Sequence, residues 1–496
     1  MTLLYKSTRD SKNVVSASQA ILQGLAVDGG LYVPTEIPKA KLDFSKLAQQ
    51  SYQEIAVQIM QLFLPDFTQE ELQECVNKAY DQKFDDKEIT PLVKKKEQYY
   101  LELFHGPTLA FKDLALSILP HLMKKAAQKN TMDKEIVILT ATSGDTGKSA
   151  MEGFADVKDT QIIVFYPENG VSPIQKRQMV TQKGENTFVA AVKGNFDDAQ
   201  TKVKQLFNDE NLRKKMAENK KIFSSANSIN IGRLVPQIVY YVYAYSRLVK
   251  MGEIKNGEKI NVSVPTGNFG NILAGFYAKK IGVPIQQLIC ASNQNNVLTD
   301  FFQTGNYDRN RPFYVTSSPS MDILISSNLE RLLFYLTKEN SQQTKKRMDE
   351  LTQKGEYTIT SEMKEGLSGF FADFASENET EETIHTVYEQ ANYVIDPHTA
   401  VASCVAKKNQ DKKGSSLPTV VLSTASPYKF PQAVLQAITK ESQSSEEYKM
   451  IDRLYELAKK PIPASIQELK KAEIKHRDKI SVDQMKNYVE QVLNLK

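Results

Sequence analysis

The chain has 496 residues, enough for two to four domains, and sets 63 Lys+Arg against 59 Asp+Glu, a net +4 that gives no electrostatic reason for a nucleic-acid partner. Hydrophobic residues make up 41%, and a chain of this length can bury a sizeable core with them, which excludes whole-chain disorder. No apolar run is long enough to span a membrane, and Cys75, Cys290 and Cys404 lie far apart with no CxxC and no metal-like His spacing, so no metal or disulfide framework is expected and a reducing cytoplasm fits.

The opening MTLLYKSTRDSK lacks the apolar centre of a signal peptide. Residues 1–95 read as a separate N-terminal domain, with helical patterns over Lys46–Leu64 and Thr68–Tyr80 and a turn-rich piece, Asp28-Gly29-Gly30-Leu31-Tyr32-Val33-Pro34. Basic runs such as Lys94-Lys95-Lys96 read as solvated faces. From Glu135 onward, short β-rich runs alternate with helical ones: EIVILTAT then KSAMEGFA, QIIVFYPE then a helix near Gln175–Thr181, NTFVAAV then Asp197–Phe207. KIFSSAN leads into a long helical pattern over Ile229–Lys250. A second series runs INVSVPTGN, a helix at Ile272–Lys280, IQQLICASN, then TVVLSTAS and a helix from Pro431. Such alternation means βαβ crossovers and a mainly parallel sheet, and the number of strands asks for two sheets. The charged segments between Asn328 and Gln390 read as insertions or edge elements, and Lys407–Pro418 as a solvated loop. The tail after Lys440 is polar and helical, and no repeat is seen.

Four segments carry the chemistry. Ligands in open α/β sheets collect where loops leave the carboxyl ends of strands. TSGDTG, Thr142–Gly147, is followed by Lys148-Ser149 and so has the look of a P-loop. Position 142 is threonine, however, and the two glycines stand only three apart, too close to wrap phosphates in that manner. PTGNFGN, Pro265–Asn271, opens a helix, and Val264–Ala278 holds no charged residue, so an anion there meets backbone N–H groups and Asn donors; a plain Gly-rich turn is the alternative. STASPYKF, Ser423–Phe430, offers hydroxyls with no carboxylate near. In HGPTLAFKDLAL, His105–Leu116, Pro107 is expected to open a helix whose apolar stripe is Phe111, Leu114, Ala115, Ile118 and Leu122. Lys112 falls in its first turns among apolar neighbours, where desolvation and the positive helix end disfavour its ammonium; a lysine snorkelling to water is the other reading.

A nucleophilic lysine, a charge-free phosphate cup and a hydroxyl loop are the parts that hold pyridoxal phosphate. HGPTLAFKDLAL, TSGDTG, SANSINIGR, PTGNFGN and STASPYKF, in this order, resemble the threonine synthase family of pyridoxal-phosphate fold-type II, and GLAVDGGLYVP is similar to that family's N-terminal domain. The resemblance runs from about residue 20 to 435. It implies an α/β architecture with two mainly parallel three-layer sheets plus a smaller N-terminal domain over 1–95. The catalytic region would cover 96–440, with a smaller subdomain at about 133–253, followed by a helical extension over 441–496.

The same resemblance puts the Schiff-base lysine on Lys112 and the cofactor phosphate on Gly267, Asn268, Phe269, Gly270 and Asn271. It puts the hydroxyl facing the pyridine nitrogen on Thr424, where a neutral group stabilises a protonated ring only weakly. Ser143, Gly144, Asp145 and Thr146 match the loop for the substrate carboxylate, and Asn227, Ser228, Asn230 and Arg233 a segment near the substrate, with Arg233 facing its phosphate. Ser426 and Tyr428 depart from the family pattern, which commonly has histidine and a small residue there. His105 reads equally as a proton carrier or a structural histidine. The implied reaction takes O-phospho-L-homoserine and water to L-threonine and phosphate through an external aldimine. A serine or threonine dehydratase shares the cofactor parts but needs no leaving-group phosphate site, and a small-molecule kinase needs the P-loop. No membrane partner is expected, and monomer and dimer both remain open.

Overall fold

Seven-residue and eight-residue apolar runs such as EIVILTA and TQIIVFYP form strands buried on both faces, as the middle of a parallel sheet requires. In the computed structural model, which describes residues 3–12, 14–142, 144–168, 171, 173–414, 416–443 and 446–495, two such sheets dominate. The larger has six strands in the order Phe370–Phe374, Ile285–Ser292, Ile260–Pro265, Thr419–Ser423, Gln98–Glu102 and Leu92–Lys95. All its pairings are parallel except the last, an edge hairpin. Val262 lies between Leu288 and Val420, which fixes the central register. The smaller sheet is parallel throughout, in the order Asp478–Ser481, Thr187–Lys193, Thr160–Pro167, Glu135–Ala141 and Lys221–Ser224.

Alternation along the strands gives each sheet two apolar faces. Ile136, Ile138, Ile162 and Val164 join one core with Met151 and Phe154 of the helix Asp145–Phe154. Val137, Leu139, Ile163 and Phe165 face the other way, onto Val203 and Leu206 of the helix Phe196–Asn208. In the larger sheet Leu288 and Cys290 point into the first core, whereas Ile289 and Ala291 pack with Val401 and Val405 of the helix Pro397–Lys413. The expected three-layer fold-type II arrangement is therefore present twice. Between the two sheets runs the helix Ile231–Lys250, buried from Ile231 to Leu248.

The N-terminal part packs its helices on that spine. Tyr5–Ser7 pairs antiparallel with Val14–Val15 and Tyr32–Pro34. The helical pattern expected over Lys46–Leu64 is two helices, Phe44–Leu47 and Tyr52–Phe63. Ser51 and Glu54 form a capping box that restarts the chain, and Arg247 Nη2 donates to the carbonyls of Leu47, Ala48 and Gln50 left between them. The pattern over Thr68–Tyr80 is the helix Gln69–Ala79 with those two residues as its caps.

Four further expectations meet a different structure. Pro107 does not open a helix: Thr108 turns its N–H and hydroxyl to the Asp113 carboxylate, Leu109 takes a φ of 61°, and Ala110 bridges to Ala425. The helix starts at Lys112 and stops at Leu116, and a second helix, Leu119–Lys129, follows with Pro120 in its first turn. Lys407–Pro418 is not a loop; the helix begun at Pro397 runs to Lys413 and ends at Gly414 in the left-handed region. The tail is not helical throughout, because Asp478–Ser481 adds the outer strand beside Thr187–Lys193. The division at residue 95 falls in the turn of the edge hairpin, so Leu92–Lys95 belongs to the larger sheet.

Candidate active site

Three loops leave the carboxyl ends of adjacent strands in the larger sheet: those after Gln98–Glu102, Thr419–Ser423 and Ile260–Pro265. Two more, TSGDTG and SANSINIGR, leave adjacent strands of the smaller sheet, Glu135–Ala141 and Lys221–Ser224. Neighbouring strands of one sheet thus deliver residues that lie over 300 positions apart in the chain.

Lys112 begins its short helix with its side chain 11% exposed. Its Nζ lies 3.4 Å from Asp145 Oδ2, 3.3 Å from Ser320 Oγ and 5.2 Å from the centre of the Phe111 ring. Burial pushes its ammonium pKa down from the ordinary lysine value; Asp145 opposes this, and Lys429 and Arg233 add to it. Asp145, in the first turn of Asp145–Phe154, has Oδ1 2.6 Å from Lys429 Nζ and accepts from Gln175 Nε2 at 3.3 Å. Burial alone raises its pKa, but Lys429 and Lys112 outweigh that and hold the carboxyl well below the usual range. Thr424 is buried and its carbonyl accepts the Phe111 N–H at 2.9 Å, which sets the hydroxyl loop beside the lysine.

The expected phosphate cup opens the helix Gly270–Ile281 from a left-handed Phe269, φ 64°, whose ring is buried against Phe302 and Phe370. Burying a phenylalanine contributes about 1.5–3 kcal/mol, enough to offset a backbone strain of about 1–3 kcal/mol. A Cβ on Gly267 would stand 2.6 Å from the Ser320 carbonyl oxygen, so only glycine admits the Pro319–Met321 turn that carries Ser320. Asn268 is exposed at the rim, and its carbonyl accepts from Asn328 N and Nδ2 at 3.1 and 3.0 Å. Asn271 Oδ1 accepts from the hydroxyls of Tyr240 and Tyr241, which leaves its buried Nδ2 without a partner. That orphaned donor at a helix N-terminus suits an anion.

Arg233 is buried with Nη1 on the Ala226 carbonyl at 2.9 Å and Nε without a partner. No carboxylate among the described residues pairs with it, and burial pushes its pKa down to about 10. Ser228 Oγ accepts from Asn328 Nδ2 at 3.4 Å, which ties SANSINIGR to the cup. Asn227 is exposed, and its backbone N–H donates to Ser225 Oγ. Asn230 corrects the expectation: its Nδ2 donates to the Ile21 and Ser225 carbonyls and its Oδ1 caps Gly232 N, so its hydrogen-bonding capacity serves the fold. Gly144 caps the helix at a φ of 154°, and Thr146 is half-buried beside it; Ser143 lies outside the described residues. Lys148 turns to Glu152, 2.9 Å away, and to Gln182, so it does not serve as a P-loop lysine.

Four groups escaped the sequence reading: Lys429, Ser320, Asn328 and the Asp396–His398 pair. His398 Nδ1 meets Asp396 Oδ2 at 2.6 Å while Nε2 accepts the Ser320 N–H at 3.2 Å, which steadies the serine next to Lys112. Asp396-Pro397, an N-cap followed by proline at the first helical position, is a pattern that could have drawn attention to this pair. His105 has both ring nitrogens on carboxylates and faces no part of this cluster. Among the described residues no group of His, Cys, Asp and Glu gathers as metal ligands, and no helix is long and apolar enough to cross a membrane.

Comparison with known proteins adds three family matches: the threonine synthase N terminus over residues 4–80, the pyridoxal-phosphate dependent enzymes over 88–425, and the threonine synthase C-terminal family over 399–489. Threonine synthase from Saccharomyces cerevisiae is 36% identical, covering 99% of this chain and 98% of the yeast protein. Threonine synthase-like 1 from Macaca fascicularis is 42% identical over 89% of this chain, but the chain spans only 61% of that protein's length. The crystal structure of pyridoxal-phosphate-bound threonine synthase from Brucella melitensis superposes with a TM-score of 0.88 at 35% identity, covering 99% of both chains.

Proposed function

The chain belongs to the threonine synthase family of pyridoxal-phosphate-dependent fold-type II enzymes, and from that premise we propose that it converts O-phospho-L-homoserine and water to L-threonine and phosphate. The observation that carries the reading is a largely enclosed lysine of lowered basicity, its side chain 11% exposed, beside a charge-free helix N-terminus with an unpaired donor, Asn271 Nδ2. Lys112 Nζ would hold the cofactor covalently. Backbone N–H groups of Gly267, Asn268, Phe269, Gly270 and Asn271, with the Asn271 amide, would take its phosphate, and the Thr424 hydroxyl would serve its ring nitrogen. Pyridoxal phosphate, when bound, supplies the electron sink for the pair left at the substrate α-carbon.

The remaining work falls to the chain. With pyridoxal phosphate bound, the Lys112 amine would stand beside the substrate and would move a proton at the α-carbon and then at the β-carbon. Asp145 is committed to two cations and the Gly144 N–H donates to Thr142 Oγ1, so the α-carboxylate relies on the Asp145 N–H and the Thr146 hydroxyl, while Ser143, outside the described residues, is assigned to it by the resemblance alone. Arg233, Ser228 and Asn227 lie on one segment and supply the cation and donors that the distal phosphate needs. Phosphate leaves the γ-carbon with the bonding pair, a proton is then delivered to the γ-carbon, and water adds its hydroxyl at the β-carbon as a proton returns to the α-carbon. Three unpaired, scattered cysteines suit a reducing compartment, and we place the enzyme in the cytoplasm.

Arg233 separates this reading from a dehydratase, which has no second phosphate to bind. A charge-assisted bond to phosphate is worth about 1.5–3 kcal/mol, or roughly a ten- to hundredfold change in rate. Arg233→Ala is expected to lose phosphate release from O-phospho-L-homoserine by that factor while the yellow colour of bound cofactor stays. Unchanged phosphate release would remove Arg233 from the substrate site.

A further inference from the structure

Lys429 is a buried cation that the reaction above does not use. Its side chain is 1% exposed, and its Nζ lies 2.6 Å from Asp145 Oδ1 and donates to the Thr108 carbonyl at 2.8 Å. Asp145 therefore faces two lysines and is committed unequally: 2.6 Å to Lys429, 3.4 Å to Lys112. Without Lys429, the nearest cation for this buried carboxylate would be Lys112, and a close ion pair would hold the proton on Lys112 Nζ. An amine that must give up its proton needs the opposite.

We propose that Lys429 is a positioning residue for Lys112: by engaging Asp145 Oδ1 it denies Lys112 a close ion pair and keeps its nitrogen ready to lose a proton. The charged groups that meet here are few. Asp145 comes from the helix Asp145–Phe154, Arg233 from Ile231–Lys250, and Lys429 from the Pro427–Lys429 turn. Asp113 follows Lys112 on its own helix and takes both Thr108 donors, while Thr108 O takes Lys429. His398 faces Asp145 from the helix Pro397–Lys413. Asp113 is bound to Thr108 and His398 to Asp396, so Lys429 is the cation that competes with Lys112 for Asp145.

The test rests on Lys112 being the attachment point of the cofactor and uses the cofactor-loaded full chain. The pH at which the visible absorption band changes reports the proton on the Lys112 nitrogen. Lys429→Met is expected to raise that midpoint by about one pH unit, and Lys429→Arg to leave it at the wild-type value. Should Lys429→Met not fold, Lys429→Gln carries the same expectation, and in the D145N background, where no carboxylate is left for Lys112 to pair with, Lys429→Met is expected to shift the midpoint far less than it does in the wild type. A Lys429→Met or Lys429→Gln midpoint equal to the wild type's would reduce Lys429 to a structural clamp, and a shift as large in the D145N background as in the wild type would show that it does not act through Asp145; either result overturns the proposal. Borohydride followed by peptide mass mapping distinguishes the two levels: a reduced adduct on a lysine other than Lys112 overturns the functional reading and this inference together, whereas an adduct on Lys112 with an unmoved midpoint overturns the inference alone.

Discussion

His105 lies between two carboxylates, Nδ1 2.5 Å from Asp85 Oδ1 and Nε2 2.8 Å from Glu102 Oε2, and both nitrogens can donate only when the ring is protonated. Burial works against the charge, but Asp85 and Glu102 overcome it and lift the pKa to about 9. The histidine left open between proton carriage and structure is thus a clamp between the end of the strand Gln98–Glu102 and the loop before it. A group raised in the folded state contributes stability that is complete below its unfolded value, near 6.5, and is lost as pH rises through about 9. Asp85 is half exposed, so solvent screening limits the contribution to about 2 kcal/mol. The thermal stability of the wild type is expected to fall between pH 6 and 9.5, and His105→Gln to flatten that fall; equal declines in both would show that the clamp carries no charge. Glu102 titrates on the acid side. Burial raises it, but His105, Lys460 and Tyr393 together bring it down to about 2, so its contribution goes only as pH falls from 4.5 toward that value.

At the scale of elements, the cup loop shows which glycine does what. The left-handed turn that starts Gly270–Ile281 is made by Phe269, and a Cβ on Gly270 would meet Asn328 Nδ2 at 3.5 Å, an ordinary contact. On Gly267 it would meet backbone oxygen at 2.6 Å and displace the turn bearing Ser320. Gly267→Ala is therefore expected to weaken pyridoxal phosphate binding at least about tenfold in equilibrium titration, with Gly270→Ala several-fold milder. Equal effects, or the reverse order, would contradict this steric account. The strands that position these loops were legible as long apolar runs ending in small polar residues, and every strand expected from Glu135 onward is present. Helix breaks were not legible. The interruption at Ala48–Ser51 depends on Arg247, some 200 residues away, and the delayed helix start at Lys112 on a Thr108–Asp113 turn and a bridge to Ala425. Periodicity reports which face is apolar and is silent about such distant partners.

Across the whole molecule, two parallel sheets aim the carboxyl ends of their strands at one cluster. Lys112, Thr424 and the cup come from the larger sheet, Asp145 and the Arg233 segment from the smaller. The cup was readable because it sits directly after an apolar strand, and the lysine through its place in HGPTLAFKDLAL and the order of the motifs along the chain. Lys429, Ser320 and Asn328 were not readable as site residues, since their importance arises from contacts made only when both sheets are in place. The tail follows the same logic: its polar sequence hides the strand Asp478–Ser481, whose pairing with Thr187–Lys193 closes the edge of the smaller sheet, and Arg177 anchors it through the Leu469 and Ala472 carbonyls. On the proposed reading, this cluster directs a phosphorylated amino acid to threonine. The most direct measurement supplies the cofactor-loaded chain with O-phospho-L-homoserine or, separately, L-serine, and follows phosphate, threonine and 2-oxo acid together. The expected result is threonine and phosphate in equal amounts with little oxo acid from serine; faster deamination of serine than phosphate release, or phosphate without threonine, would contradict it.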